Sequence, residues 1–305
     1  MKAKPVLAIT GGTGFVGRTL VRHAAMRGHQ VHALTRRPQP ALKNVQWIDG
    51  ALDQPDRLKT LVEGTDAIIH VAGVVNARNR AGFAAGNVEG TLAMVEAAKA
   101  VGVNRFIHVS SLAAREPDLS DYGWSKARAE QIVAASGLEW TAVRPPAVYG
   151  PGDTEMLDLF RMAKRGVVML PPGGRLSVIE VSDLSRLLLT LVNEPETLAE
   201  IYEPDDGVEG GWSHVDFGRA IGAAVGKRIL TFAAPKPMLR AASSVDRLFR
   251  RSRAKLTVDR VNYFSHPDWV ADPARHPPAE IWSPHIDTVA GLKATANAYR
   301  AAGLL

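Results

Sequence analysis

The sequence predicts an α/β protein: a doubly wound parallel sheet followed by a smaller C-terminal lobe. Three observations predict it. Short β-branched runs alternate with helical patterns through the first half of the 305 residues. A glycine-rich loop joins the first run to the first helical pattern. After Gly150 the alternation loosens, and proline and glycine cluster at Pro151-Gly152 and Pro171-Pro172-Gly173-Gly174.

The elements follow in order. Strands are expected at 6–10, 30–35, 45–48, 67–71, 105–109 and 141–144, and helices at 14–27, 56–62, 88–101 and 122–136. Strands alternating with helices at this spacing argue for βαβ units and a parallel sheet. Gly28, Gly64, Gly102 and Gly137 stand where helices should stop. This gives a nucleotide-binding domain over 1–150 and a substrate lobe over 151–305. A strand and helix near 176–192 are expected to return to the first domain. The tail from Trp212 onward reads as helical with proline breaks.

Composition narrows the chemistry. The chain has no cysteine, which excludes disulfides, thiolate nucleophiles, cysteine zinc sites and iron–sulfur clusters. No histidine pair has a metal-ligand spacing on one helix, so no metal is expected. The N-terminal apolar run is too short for a signal-peptide core, and no run approaches the ~18–20 apolar residues of a spanning helix. The protein is read as soluble and cytoplasmic. Its net charge is +6, with cations crowded between Arg240 and Arg260. We read that crowding as a solvated helix face and expect no nucleic-acid partner. The segment 237–253 has five arginines among apolar residues at helical spacing. It reads as a helix packed on the lobe, with a lid or a weak membrane-surface contact as the sharper alternatives.

The glycine loop is Thr10-Gly11-Gly12-Thr13-Gly14-Phe15-Val16-Gly17. Lying between a strand and a helix, it has the context of a dinucleotide-binding (Rossmann) turn. Glycines allow a tight turn and close backbone approach to a pyrophosphate, and the helix N-terminus favours the anion. The second strand ends Thr35-Arg36-Arg37, with no carboxylate for a ribose 2′-hydroxyl. Two guanidinium groups suit a 2′-phosphate, so NADP is expected over NAD, which stays the alternative.

Tyr122 and Lys126 lie four apart at the start of a helix and share a face. A nearby ammonium lowers a tyrosine pKa from about 10 toward working pH, so the phenol could give or take a proton. Ser111, after the fifth strand, could donate a second hydrogen bond to the same oxygen.

Together these residues resemble the short-chain dehydrogenase/reductase superfamily, in its extended or atypical, epimerase/dehydratase-like branch. The resemblance rests on the glycine loop, His70-Val71-Ala72-Gly73, Asn87-Val88-Glu89-Gly90-Thr91, Ser110-Ser111 and Tyr122 with Lys126. It rests most specifically on Arg144-Pro145-Pro146-Ala147-Val148-Tyr149-Gly150-Pro151-Gly152. It implies that Tyr122 transfers the proton, Lys126 holds the nicotinamide ribose, and Ser111, rather than Ser110, polarises the carbonyl. It implies cofactor contacts from Gly11, Thr13, Gly14, Phe15, Val16 and Gly17, from Ala72 and Gly73, and from Pro145 and Val148. Such proteins often carry Gly-Asp-Leu after the third strand. Here the run is Gly50-Ala51-Leu52-Asp53, and Leu52 is the residue carried over as cofactor-binding. The acidic pair that dehydratases carry after the strand serine is replaced by Leu112-Ala113-Ala114. The expected activity is hydride transfer between NADP and a carbonyl or secondary alcohol of a small-molecule substrate. Two alternatives stand: a nucleotide-sugar epimerase holding NAD, and a non-catalytic NAD(P)H-binding scaffold. Relatives often dimerise through the helix bearing the tyrosine and lysine, so the resemblance leaves a homodimer open while the sequence itself does not set the oligomeric state.

Overall fold

The computed structural model describes residues 4–171, 173–234, 238, 241 and 258–305. The 237–253 segment lies outside the described residues except for Met238 and Ala241. The chain runs β1 (Leu7–Thr10), α1 (Phe15–Met26), β2 (Val31–Thr35), β3 (Val45–Asp49), α2 (Pro55–Val62), β4 (Ala67–His70) and α3 (Arg80–Phe83). A π-helical turn (Ala84–Glu89), α4 (Gly90–Val101), β5 (Arg105–Val109), α5 (Asp121–Ala134) and β6 (Glu139–Val143) follow. The remaining elements are β7 (Ala147–Tyr149), α6 (Leu157–Lys164), β8 (Val167–Leu170), β9 (Arg175–Leu176), β10 (Val178–Glu180) and α7 (Val181–Leu191). Then come β11 (Glu200–Tyr202), β12 (Trp212–Ser213), α8 (His214–Ala224), β13 (Leu230–Ala233), α9 (Val258–Phe264), β14 (Asp268–Trp269) and α10 (Thr288–Ala301).

Two compact units form. The first holds Met1–Arg144, Leu184–Tyr202 and Pro277–Trp282; the second holds Pro145–Asp183, Glu203–His276 and Ser283–Leu305. In the first, seven strands pair in the order β11-β6-β5-β4-β1-β2-β3, all parallel. The order reverses between β1 and β4, the point where doubly wound sheets bind ligands beyond their carboxyl ends. β1, β4 and β5 are buried along their whole length, as strands covered by helices on both faces must be. Gly28, Gly64, Gly102 and Gly137 follow helices with φ between 71° and 83°, a backbone state that glycine adopts without Cβ strain.

The helix expected at 88–101 is α4 preceded by a wide π-helical turn. A polar side chain, Asn87, is buried in that turn. The edge strand β11 was not expected from sequence. Below it Arg105 is buried, its guanidinium donating to the carbonyls of Glu139 (2.9 Å) and Leu191 (2.5 Å) and to Thr197 Oγ1 (2.9 Å).

In the second unit, β7 pairs with β10, β8 with β13, and β9 lies between β12 and β14. Val178–Glu180 therefore stays with β7, and the chain returns to the first unit at Leu184. The tail after Trp212, expected to be helical, contains three short strands as well. Strands of two to four residues leave no periodicity to read. Tyr149, Phe160, Phe217, Leu292 and Tyr299 form the centre of this unit's core.

Candidate active site

The site residues of the first unit are borne by the carboxyl ends of β1, β2, β4 and β5. Gly11 has φ +70°, and a Cβ there would stand 2.8 Å from the Ala72 nitrogen. A Cβ on Gly17 would overlap the Gly11 carbonyl oxygen. The turn is thus pressed between the first turn of α1 and the segment after β4. No side chain caps α1, and its first turn has no acid, which leaves the helix end suited to an anion. Thr13 and Gly14 are exposed there, and Phe15 and Val16 half-buried. These features fit a dinucleotide pyrophosphate.

Beneath the turn lies a buried polar bridge. Thr10 Oγ1 accepts from the Ala72 nitrogen (3.1 Å) and bonds His70 Nδ1 (2.8 Å), and His70 Nε2 bonds Thr91 Oγ1 (3.1 Å). Burial, with Lys126 nearby, pushes the His70 pKa down to about 3. The imidazole stays neutral, so one ring nitrogen donates and the other accepts.

Ala72 and Gly73 lie between the glycine turn and α5. A Cβ on Gly73 would meet Asn87 Oδ1 at 3.0 Å and Lys126 Nζ at 3.8 Å. Asn87 Oδ1 accepts from the Val74 nitrogen (2.6 Å), and Nδ2 donates to the Val74 carbonyl (3.0 Å) and to Ser125 Oγ (2.8 Å). One amide therefore clamps the loop after β4 to α5. Sequence reasoning quoted Asn87 only as part of a motif and gave it no role. The available signal was an amide-bearing residue inside an apolar helical pattern.

At the end of β5 the two serines have different partners. Ser110 Oγ donates to Glu130 Oε1 (2.5 Å), which with Oε2 accepts two bonds from the Arg144 guanidinium (2.8 and 2.7 Å). Ser110 is thus committed to a buried ion pair. Ser111 Oγ caps the 3-10 turn Leu112–Arg115 by accepting from the Ala113 nitrogen (3.2 Å), so its hydroxyl hydrogen is not used in that contact. Gly123 brings α5 against this turn: a Cβ there would stand 2.6 Å from the Ala113 carbonyl oxygen. Tyr122 precedes Gly123, and its ring lies 6.0 Å from that of Phe83. Lys126 is buried one helical turn on, and Nζ donates to the Val109 carbonyl (2.7 Å). Burial lowers its pKa to about 8, with Glu130 opposing the shift.

Arg36 and Arg37 are exposed after β2, where Thr35 Oγ1 fixes the turn by donating to the Arg37 carbonyl (2.6 Å). The Leu52 side chain lies against Gly90 of α4. Pro145 and Val148 belong to the second unit. His29 and His32 bond the carbonyls of Pro5 and Leu61.

Residues 11–195 match the NAD(P)H-binding family model. Across 312 aligned residues the chain is 37% identical to the ceramide reductase of Caulobacter vibrioides, covering 99% of this chain and 97% of that one. The chain belongs to the extended short-chain dehydrogenase/reductase superfamily. Relatives in this superfamily are named as reductases, dehydrogenases and epimerases, and the chain is an enzyme of that NAD(P)-dependent type. It is 32% identical to the 2-alkyl-3-oxoalkanoate reductase of Stenotrophomonas maltophilia over 52% of its length, spanning 55% of that protein. The fold matches MoeE5 in complex with UDP-glucose and NAD at a TM-score of 0.76 and 21% identity, covering 97% of this chain and 99% of that one. It also matches Bordetella bronchiseptica WbmG in complex with NAD and UDP at 0.75 and 17%, covering 99% and 96%. No helix among the described residues is long and apolar enough to cross a membrane.

Two expectations follow for this dehydrogenase/reductase site. Asn87→Leu leaves the Val74 backbone groups without their amide partner, at about 1–3 kcal/mol for each orphaned group. Thermal unfolding should show a lower melting temperature, and an unchanged one would contradict the clamp. The second concerns Lys126, whose folded pKa of about 8 lies below the ordinary 10.5. Between about pH 8 and 10.5 the unfolded chain keeps a proton that the folded chain has shed, so stability contributed by this group rises with pH across that window. Below it, folding must bury the ammonium. Denaturant unfolding across the window should show the rise in the parent and a flatter profile in Lys126→Met.

Proposed function

We infer that the enzyme is an NADP-dependent carbonyl reductase, and that its substrate is the keto form of a ceramide-class lipid. The observation that carries the chemistry is the grouping of Ser111, Tyr122 and buried Lys126 at the end of β5 and the start of α5. The 37% identity spanning 97% of a ceramide reductase supports the substrate. Ceramide carries one secondary alcohol, and a ketone at that carbon is what such a reaction would consume.

A dinucleotide would be held by Gly11, Gly14 and Gly17 at its pyrophosphate and by Lys126 at its nicotinamide ribose. Its reduced nicotinamide supplies the hydride that reaches the carbonyl carbon. Tyr122 Oη donates the accompanying proton to the carbonyl oxygen, and Ser111 Oγ donates a hydrogen bond to that oxygen. The Lys126 ammonium favours the phenolate left on Tyr122. One hydride and one proton thus convert the ketone to the alcohol, and the reverse reaction returns both.

Arg36 and Arg37 support NADP, since exposed guanidinium groups stand after β2 where a carboxylate would suit NAD. Each charge-assisted bond to a 2′-phosphate is worth about 1.5–3 kcal/mol, so removing both should weaken NADPH binding by roughly tenfold or more. Calorimetry on the Arg36→Ala/Arg37→Ala variant should show this loss with NADH binding unchanged. Equal affinity for NADH and NADPH in the parent would remove the argument.

The test of the whole reading is turnover. The purified enzyme with NADPH should reduce the keto form of a ceramide to the alcohol, identified by mass spectrometry. Interconversion of UDP-sugars, with no ketone reduced, would overturn it in favour of epimerase chemistry.

A further inference from the structure

The second unit carries a two-stranded parallel sheet, β8 with β13, that presents large apolar side chains to water. Leu230 is 75% exposed, Phe232 50% and Val167 45%. The register puts Leu230 opposite Val167 and Phe232 opposite Met169, so these side chains share one face. An exposed strand face is ordinarily polar.

The two strands have matching lead-ins. Lys164-Arg165-Gly166 leads into Val167 as Lys227-Arg228-Ile229 leads into Leu230, and the two strands pair from there. Lys164 and Arg165 end α6 and Lys227 and Arg228 follow α8, each pair one residue before its strand, and all four are exposed. The sequence has no acid between Asp158 and Glu180, and none between Asp216 and Asp246. Asp158 and Asp216 sit in the first turns of α6 and α8, and pair with Arg161 and Arg219. Lys164 in the last turn of α6 complements that helix's dipole, and lysines beside an edge strand discourage strand addition. Neither role accounts for three large apolar side chains held out in water among them.

Exposed apolar side chains flanked by lysine and arginine that form no ion pair among the described residues suit one partner, a bilayer with anionic headgroups. We propose that the β8–β13 face docks the enzyme on an anionic membrane surface. Val167, Leu230 and Phe232 enter the boundary between headgroups and acyl chains, and Lys164, Arg165, Lys227 and Arg228 meet the lipid phosphates. The proposal rests on the lipid-substrate reading for its purpose alone; its evidence is the surface. Met169, on the same face, packs with Ala234 and Val261 and is not part of the proposed surface.

The test is flotation of the full chain with phosphatidylcholine vesicles, with and without phosphatidylglycerol. The parent should float with the anionic vesicles and be released by salt. Leu230→Ser/Phe232→Ser and Lys227→Glu/Arg228→Glu should each lower vesicle partitioning at least about tenfold, and both should keep parent turnover of a water-soluble ketone. Absence of vesicle binding by the parent would overturn the proposal, as would equal binding to neutral vesicles. So would a doubled mass in light scattering that Leu230→Ser/Phe232→Ser abolishes, since a second copy would then cover the face. Turnover of the ketone is read separately, so failure of the reductase reading leaves the vesicle result standing.

Discussion

Tyr122→Phe is expected to bind NADPH as the parent does and to lose about 10²–10⁴-fold in kcat, the range associated with one positioned proton donor. The ring is retained, so its packing against Phe83 is retained as well. The backbone carbonyl of Tyr122, which accepts from Ser125 Oγ at 2.7 Å, is unchanged. Only the hydroxyl is lost, and with it the proton that the product alcohol requires. An unaltered kcat in steady-state assays would remove Tyr122 from the chemistry. A parallel loss of NADPH affinity would assign the hydroxyl to cofactor binding instead.

Gly17→Ala is expected to damage both nucleotide binding and stability. The added methyl would overlap the carbonyl of Gly11, with the Gly12 Cα at 3.0 Å behind it. Both are backbone atoms of the turn proposed to hold the pyrophosphate, so the turn must open or α1 must move away. Overpacking of this kind costs about 1–3 kcal/mol and occasionally more. At about 2–4 °C per kcal/mol for a chain this large, the melting temperature should fall by several degrees. NADPH affinity should fall by more than about tenfold, since 1.4 kcal/mol is enough for that. Gly173→Ala is the control: a Cβ there meets nothing within 4 Å, and its effect should stay within about 1 kcal/mol.

The first unit was legible because its signals are local. Periodicity marked β1 to β6, and glycines marked the ends of α1, α2, α4 and α5. The placement of Thr10–Gly17 and Ser111 at strand carboxyl ends followed from strand positions, and the attention to Ala72 and Gly73 from the family resemblance. Other features depend on contacts between distant residues. β11 is three residues long and forms because β6 offers it an edge, with Arg105 satisfying carbonyls below. The different duties of Ser110 and Ser111 depend on Glu130 and Arg144, which lie 20 and 34 positions from Ser110. The clamp by Asn87 depends on Val74 and Ser125, and the π-helical turn that presents Asn87 has no sequence period of its own. The second unit was least legible. Its strands, of two to four residues, are too short for a pattern.

The measurement that tests the central claim most directly is isotope transfer from NADPH deuterated at the transferable position of the nicotinamide. With the keto form of a ceramide as substrate, mass spectrometry should find one deuterium on the carbon bearing the new alcohol. Tyr122→Phe should form that labelled product at about 10²–10⁴-fold lower rate. Product without the label, or equal rates in parent and variant, would contradict a Tyr122-assisted hydride transfer at this site.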